Sequence, residues 1–158
     1  MKKIWSIALA AALTLCMGMT AFAAEVNEST EPKTVNTEIT TSVAPTYTVT
    51  IPADTEIEFN AVSTDLGSIS LDAAQINPNY VVTVSANAGV FSNEADAQKT
   101  IPYKLTAGAD EFASAEYMAA GESTALKIAI EKTAWEAASA GDYSGTITFT
   151  VAYSEKSN

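Results

Sequence analysis

The sequence predicts an all-β fold: an immunoglobulin-like antiparallel β-sandwich of about seven to eight short strands, with room for one short helix. Three observations lead there. Apolar and polar residues alternate with period two in several short stretches, most clearly in Gly141 to Tyr153, where Tyr143, Gly145, Ile147, Phe149, Val151 and Tyr153 share one parity. Turn chemistry separates these stretches at fairly even spacing, as at Asn77-Pro78-Asn79. The segment TAWEAASAGDY also leads small residues and a Gly-Asp pair into a tyrosine at the start of a strand, which predicts a tyrosine corner with the Tyr143 hydroxyl bonded to backbone a few residues upstream.

In chain order, residues 1–24 read as a cleaved secretory signal peptide: Lys2 and Lys3, an apolar run from Ile4 to Met19, then small residues at Ala21 and Ala23. Cys16 follows Leu15, where a lipid-attachment site wants a small residue. Residues 25–34 read as a flexible acidic leader, and residues 35–158 as a single sandwich domain.

Val35, Thr37, Ile39, Thr41 and Val43 share one parity and predict a strand rich in β-branched residues. Pro45 ends it, and Tyr47, Val49 and Ile51 predict a second strand that stops at Pro52. Further strands are predicted over 56–60, with Ile57 and Phe59 inward, and over 66–72, with a bend at Gly67. Val81, Val82 and Val84 predict a central strand with both faces covered. Residues 87–99 read as a surface connection, and Ile101, Tyr103 and Leu105 as a strand whose Pro102 suits a sheet edge. Residues 109–120 fit a short helix or a long loop, the helix slightly ahead. Leu126, Ile128 and Ile130 alternate with Lys127 and Glu131 in another strand, and 133–141 has room for one helical turn that plugs Trp135 into an end of the core.

Composition narrows the chemistry. The chain has no His and no Arg, and its single Cys is in the signal peptide, so imidazole metal sites, Ser-His and Cys-His nucleophiles, arginine clamps and a disulfide in the mature chain are all excluded. Six of the eight lysines and all 19 acidic residues follow residue 24, a net charge of −13 that disfavours nucleic acid and anionic lipid as partners. Neither the clusters Asn93-Glu94-Asp96 and Asp110-Glu111 nor any carboxylate pair has the spacing of a calcium loop or a hydrolase motif. We therefore expect no enzyme, no cofactor, and no membrane insertion once the signal is cleaved.

Two binding readings stand. Val35, Thr37, Ile39, Thr41 and Val43 form either the domain's first strand or a donor strand for a second copy, making the protein a homo-oligomer. An immunoglobulin sandwich has one more strand after the tyrosine-corner strand, and five residues follow Tyr153 here. The alternative is a carbohydrate- or ligand-binding module in which Trp135, Phe112 and Tyr117 stack on a glycan, against the blander reading that Trp135 and Phe112 cap the core.

The run Ala140 to Tyr153, AGDYSGTITFTVAY, resembles the closing strand of bacterial pilin-like and spore-coat-protein-U-like domains. Its AGDY segment resembles the turn into the tyrosine-corner strand of immunoglobulin domains, with Gly145 where their Cys stands. The signal peptide ending and the TYTVTIPAD stretch are similar to small secreted proteins of Gram-positive gut bacteria. The resemblance implies an extracellular, cell-surface-associated sandwich in structures such as pili or matrix fibres, with a structural or adhesive role and other surface proteins among its partners.

Overall fold

The structure, a computed structural model, describes residues 28–29 and 37–156. The signal-peptide reading of residues 1–24, and Val35 of the proposed donor strand, lie outside these residues. The elements in chain order are β1 (Thr46–Thr50), β2 (Ser63–Gln75), β3 (Tyr80–Ala86), β4 (Val90–Asn93), β5 (Thr100–Pro102), β6 (Lys104–Ala107), β7 (Asp110–Glu111), β8 (Ser114–Tyr117), β9 (Ser123–Ala129), α1 (Lys132–Ala137), β10 (Tyr143–Ser144) and β11 (Phe149–Glu155).

One layer is an antiparallel sheet in the order β1-β2-β9-β6-β7. The remaining strands form two three-stranded sheets, β11-β3-β8 and β10-β4-β5, with β3 followed in the chain by β4 and β10 by β11, each across a short interruption. Ser144 pairs with Ser92 on one side of the interruption and Phe149 with Ala86 on the other, so the two strands differ there by one residue, as at a bulge. The neighbours β2-β9-β6 and β3-β11 reproduce those of strands B-E-D and C-F in an immunoglobulin sandwich, with β1 in the place of A. Among the described residues, no strand takes the place of G beside β11.

The period-two pattern explains which side chains meet between the layers. Ile69 and Leu71 of β2, Val82 and Val84 of β3, Ile101, Leu105, Leu126 and Ile128 are all buried in one cluster. Side chains of this size each stabilise the fold by about 1.5–3 kcal/mol when fully buried. Val81 is buried as well, so β3 is covered on both faces, as its near-continuous apolar run requires. Gly67 sits at φ +113° where the β2–β9 register shifts, and β5, which carries Pro102, is an edge strand.

Four expectations are corrected. The described part of the 35–43 strand, residues 37–43, has no regular structure and is exposed; β-branched propensity makes a strand only where a neighbour supplies the ladder. Residues 56–60 form a loop that half-buries Ile57 and leaves Phe59 exposed. Residues 109–120 hold β7 and β8 in place of a helix: Ala115 and Tyr117 point inward while Ser114 and Glu116 face water, a strand period hidden behind helix-favouring Ala and Glu. The connection over 87–99 contains β4. The number of strands is eleven among the described residues because breaks at Tyr103 and at residues 87–89 and 145–148 divide longer runs.

Candidate functional site

The two strands that begin and end the described domain are both sheet edges. β1 pairs only with β2, and β11 only with β3, among the described residues. Their inward side chains meet across the gap between the layers: Tyr47 and Tyr153 stack with ring centroids 5.7 Å apart, and Tyr80 lies 5.0 Å from Tyr153. All five inward residues, Tyr47 and Val49 on β1 and Phe149, Val151 and Tyr153 on β11, pack on the core yet remain only half-buried. Their alternation is that of core strands, but one flank of each is left uncovered. The result is an apolar strip that no strand of the described residues covers, hereafter the groove, bordered by two strand edges unpaired among the described residues, the kind of edge that accepts a further strand.

Hydrogen bonds hold the tyrosine end of this groove. The Asn77 amide donates to the Tyr153 hydroxyl at 2.9 Å, and the Lys156 amide to the Asn79 carbonyl at 2.8 Å, fastening the end of β11 to the Asn77-Pro78-Asn79 turn. The Tyr80 hydroxyl donates to a Glu155 carboxylate oxygen at 3.1 Å, and that bond and charge hold its pKa above the ordinary 10.0.

The other end of β11 is fixed by the Tyr143 region. The Tyr143 hydroxyl donates to the Ser139 carbonyl, four residues upstream, at 3.0 Å. Gly141 has φ +139°, and a Cβ there would stand 2.5 Å from the Asn93 amide nitrogen, so the turn admits glycine alone. Gly145, at the position where immunoglobulin domains carry their Cys, is pressed against the ring of Phe91: a Cβ would lie 2.9 Å from Phe91 Cδ1 and 3.0 Å from the Val90 carbonyl. A side chain at this position would collide with β4.

Of the predicted donor residues, Thr37, Ile39, Thr41 and Val43 fall in the exposed stretch before β1, with Ile39 91% and Val43 63% accessible. This stretch joins the domain at Thr46, beside the tyrosine end of the groove.

The aromatic residues considered for glycan stacking divide differently. Phe112 and Tyr117 are buried in the core and cannot stack on a ligand. Trp135 is half-buried; its indole N–H donates to the Ala61 carbonyl at 2.9 Å and its ring meets Phe59 edge-on at 5.7 Å. Phe59, which its parity placed in the core, is 77% accessible. Together with Asp54, Glu56, Phe91 and Asp142 these rings line an open hollow of about 850 Å³.

The acidic clusters serve local turns. Asn93 is buried, and its side-chain oxygen accepts from the amides of Ala95 and Asp96 at 2.9 and 3.2 Å, while an Asp96 oxygen accepts from the Gln98 amide at 3.0 Å. Asp110 and Glu111 are exposed on β7. Among the described residues no three His, Cys, Asp or Glu side chains are arranged to hold a metal ion, and no helix is long and apolar enough to cross a membrane. No protein-family model matches the chain, and no curated protein matches it.

Proposed function

We propose that the protein is a secreted, non-enzymatic structural or adhesive component of the cell surface whose copies join through a donated strand. In this reading residues 35–43 of one copy lie along the uncovered edge of β11 in the next, filling the groove between β11 and β1. The observation that carries it is the presence in one chain of two partly or fully exposed apolar sets that share the period of a strand. A domain whose last and first strands keep five apolar side chains half-covered is preceded by an alternating segment that exposes Ile39 and Val43. Occupation of the groove would hide both apolar sets and complete the β11 ladder. The signal-like residues 1–24 and the acidic composition fit an extracellular setting.

Size-exclusion chromatography with light scattering tests this on residues 25–158 beside a chain beginning at Pro45. The expected result is a series of linked species for the longer chain and a folded monomer for the shorter one. A longer chain that stays monomeric at all concentrations removes the proposal. A second reading, a glycan- or ligand-binding module, draws on the exposed Phe59 ring braced by Trp135 above a carboxylate-bearing hollow. Its own check is a glycan array followed by Phe59→Ala, which should abolish any binding found.

A further inference from the structure

The open hollow of about 850 Å³ takes much of its lining from two loop segments, each fixed by bonds of its own. In the first, residues 53–61, Ile57 packs on the core, the Ala61 amide donates to the Glu58 carbonyl at 3.1 Å, and the Ala61 carbonyl accepts from the Trp135 indole at 2.9 Å. In the second, the turn into β10, Gly141 has φ +139° and the Asp142 carbonyl accepts from the Glu94 amide at 2.9 Å. The Phe59 ring of the first segment stands 77% accessible, braced edge-on by Trp135. An apolar ring held in water by a fixed loop has surface to bury against a ligand, and little ordering left to do when one arrives.

The polar chemistry of this lining is one-sided. Every charged side chain in it is acidic: Asp54, Glu56 and Asp142, all three exposed. Among the described residues these carboxylates make no hydrogen bond or ion pair. The donors near them are already engaged, the Trp135 indole with the Ala61 carbonyl, the Tyr143 hydroxyl with the Ser139 carbonyl and the Thr55 hydroxyl with the Ala53 carbonyl. Apart from the Ser144 hydroxyl, the side chains left to meet a ligand are apolar or carboxylate. A ligand for such a lining must bring its own donors, and charged donors bond most strongly to carboxylates. A cation also gains from the negative face of an aromatic ring. An anion is repelled, and a neutral glycan finds acceptors for its hydroxyls but few side-chain donors in return.

We infer that this hollow is a site for an organic cation, a protonated amine carried on an apolar body, with Phe59 meeting the body and Asp54, Glu56 and Asp142 meeting the charge. The inference rests on the ligand-binding reading of the hollow and names its ligand class; it is independent of strand donation. The volume suits a ligand of several units, so a free polyamine and an oligomer of amino sugars both carry the required chemistry.

Residues 25–158 contain one tryptophan, Trp135, so its fluorescence reports on the hollow directly. The titration is run at about pH 5.5, where ordinary carboxyls are ionised, with spermidine, the glucosamine tetramer, the same tetramer fully N-acetylated, and magnesium chloride. The expected result is a saturable change in emission with the amines and none with the acetylated tetramer or magnesium; saturation by one amine alone supports the site and identifies the source. Asp54→Asn with Glu56→Gln should weaken amine binding about tenfold or more with an unchanged melting temperature. Asp110→Asn with Glu111→Gln removes as much charge outside the lining and should leave binding unchanged. If the acetylated tetramer binds as tightly as its parent, the cation class is wrong while the hollow stands as a ligand site. Equal losses in the two double variants, or an equal response to magnesium, would trace the effect to overall negative charge and overturn the inference. Silence from every probe overturns it too; binding of a neutral glycan that Phe59→Ala abolishes would then still sustain the ligand-binding reading, and the lack of any would remove that reading as well.

Discussion

Three residues around the last turn show how little freedom this fold allows locally. Tyr143 is held by its bond to the Ser139 carbonyl, Gly141 by the approach of Asn93, and Gly145 by the approach of Phe91. Tyr143→Phe keeps the ring and deletes only the hydroxyl, so the Ser139 carbonyl loses its partner at a site open to water. The expected loss is about 1 kcal/mol in urea unfolding, with an unchanged dependence on denaturant. Glu122 offers a second local test. Its carboxylate accepts from the amides of Met118 and Ala119 at 2.5 and 3.1 Å, and those bonds depress its pKa below the ordinary 4.5. A carboxyl with a depressed folded pKa contributes stability in full above its unfolded value, and that contribution disappears as the pH falls through the folded one. Asp72 follows the same rule, its pKa lowered by hydrogen bonds first from Ser70 and then from Thr50. Melting temperature should therefore drop as the solution is acidified below about pH 4.5. In Glu122→Gln the drop should be shallower, and an identical slope would show that the turn bonds do not stabilise the fold.

At the scale of elements, the strand-donation proposal makes a claim about a single side chain. Ile39 is 91% accessible in the single chain, and in that proposal it would meet the half-buried row on β11 of another copy. Ile39→Asp should abolish linked species, since a buried unpaired carboxylate is costly, and should leave the melting temperature of the monomer unchanged. A fall in that temperature would mean that Ile39 already packs on its own domain. The elements also show what the sequence makes legible. Strands whose partners flank them read clearly: Leu126, Ile128 and Ile130 are buried between exposed Lys127 and Glu131, and the valines of β3 lie at the centre of their sheet. Alternation reports a capacity for burial, and it reads identically at 37–43, where no strand forms, and at β9, where one does. Phe59 departs from its expected inward position for the same reason, because parity says which residues share a side and not whether that side meets the core. The groove could be foreseen only as a strand without its neighbour; its tyrosine end, from Tyr47 through Tyr153 to Tyr80, depends on contacts between residues more than 70 positions apart in sequence.

On the scale of the whole molecule, charge sets the conditions for any contact between copies. Beyond residue 24 the chain carries a net charge of −13, with no arginine and only six lysines. Two of those lysines are engaged within the domain, Lys127 with Asp65 at 3.0 Å and Lys132 with Glu136 at 3.5 Å. Copies approaching one another therefore repel over a distance set by the ionic strength, about 30 Å at 0.01 M salt and about 10 Å at 0.1 M. The attraction in a filled groove is different in kind. It comes from apolar burial and a completed backbone ladder, acts at contact, and is little affected by screening. Assembly followed by light scattering should therefore be slow in 10 mM sodium chloride and faster in 300 mM, while the Ile39→Asp variant stays monomeric in both. Acidification toward pH 4.5 at low salt should also speed assembly by neutralising carboxylates, ahead of the acid loss of stability argued above. If assembly slows as salt is added, opposite charges must be drawing the copies together, and the contact would have to be sought around the lysines instead of in the apolar groove between β1 and β11.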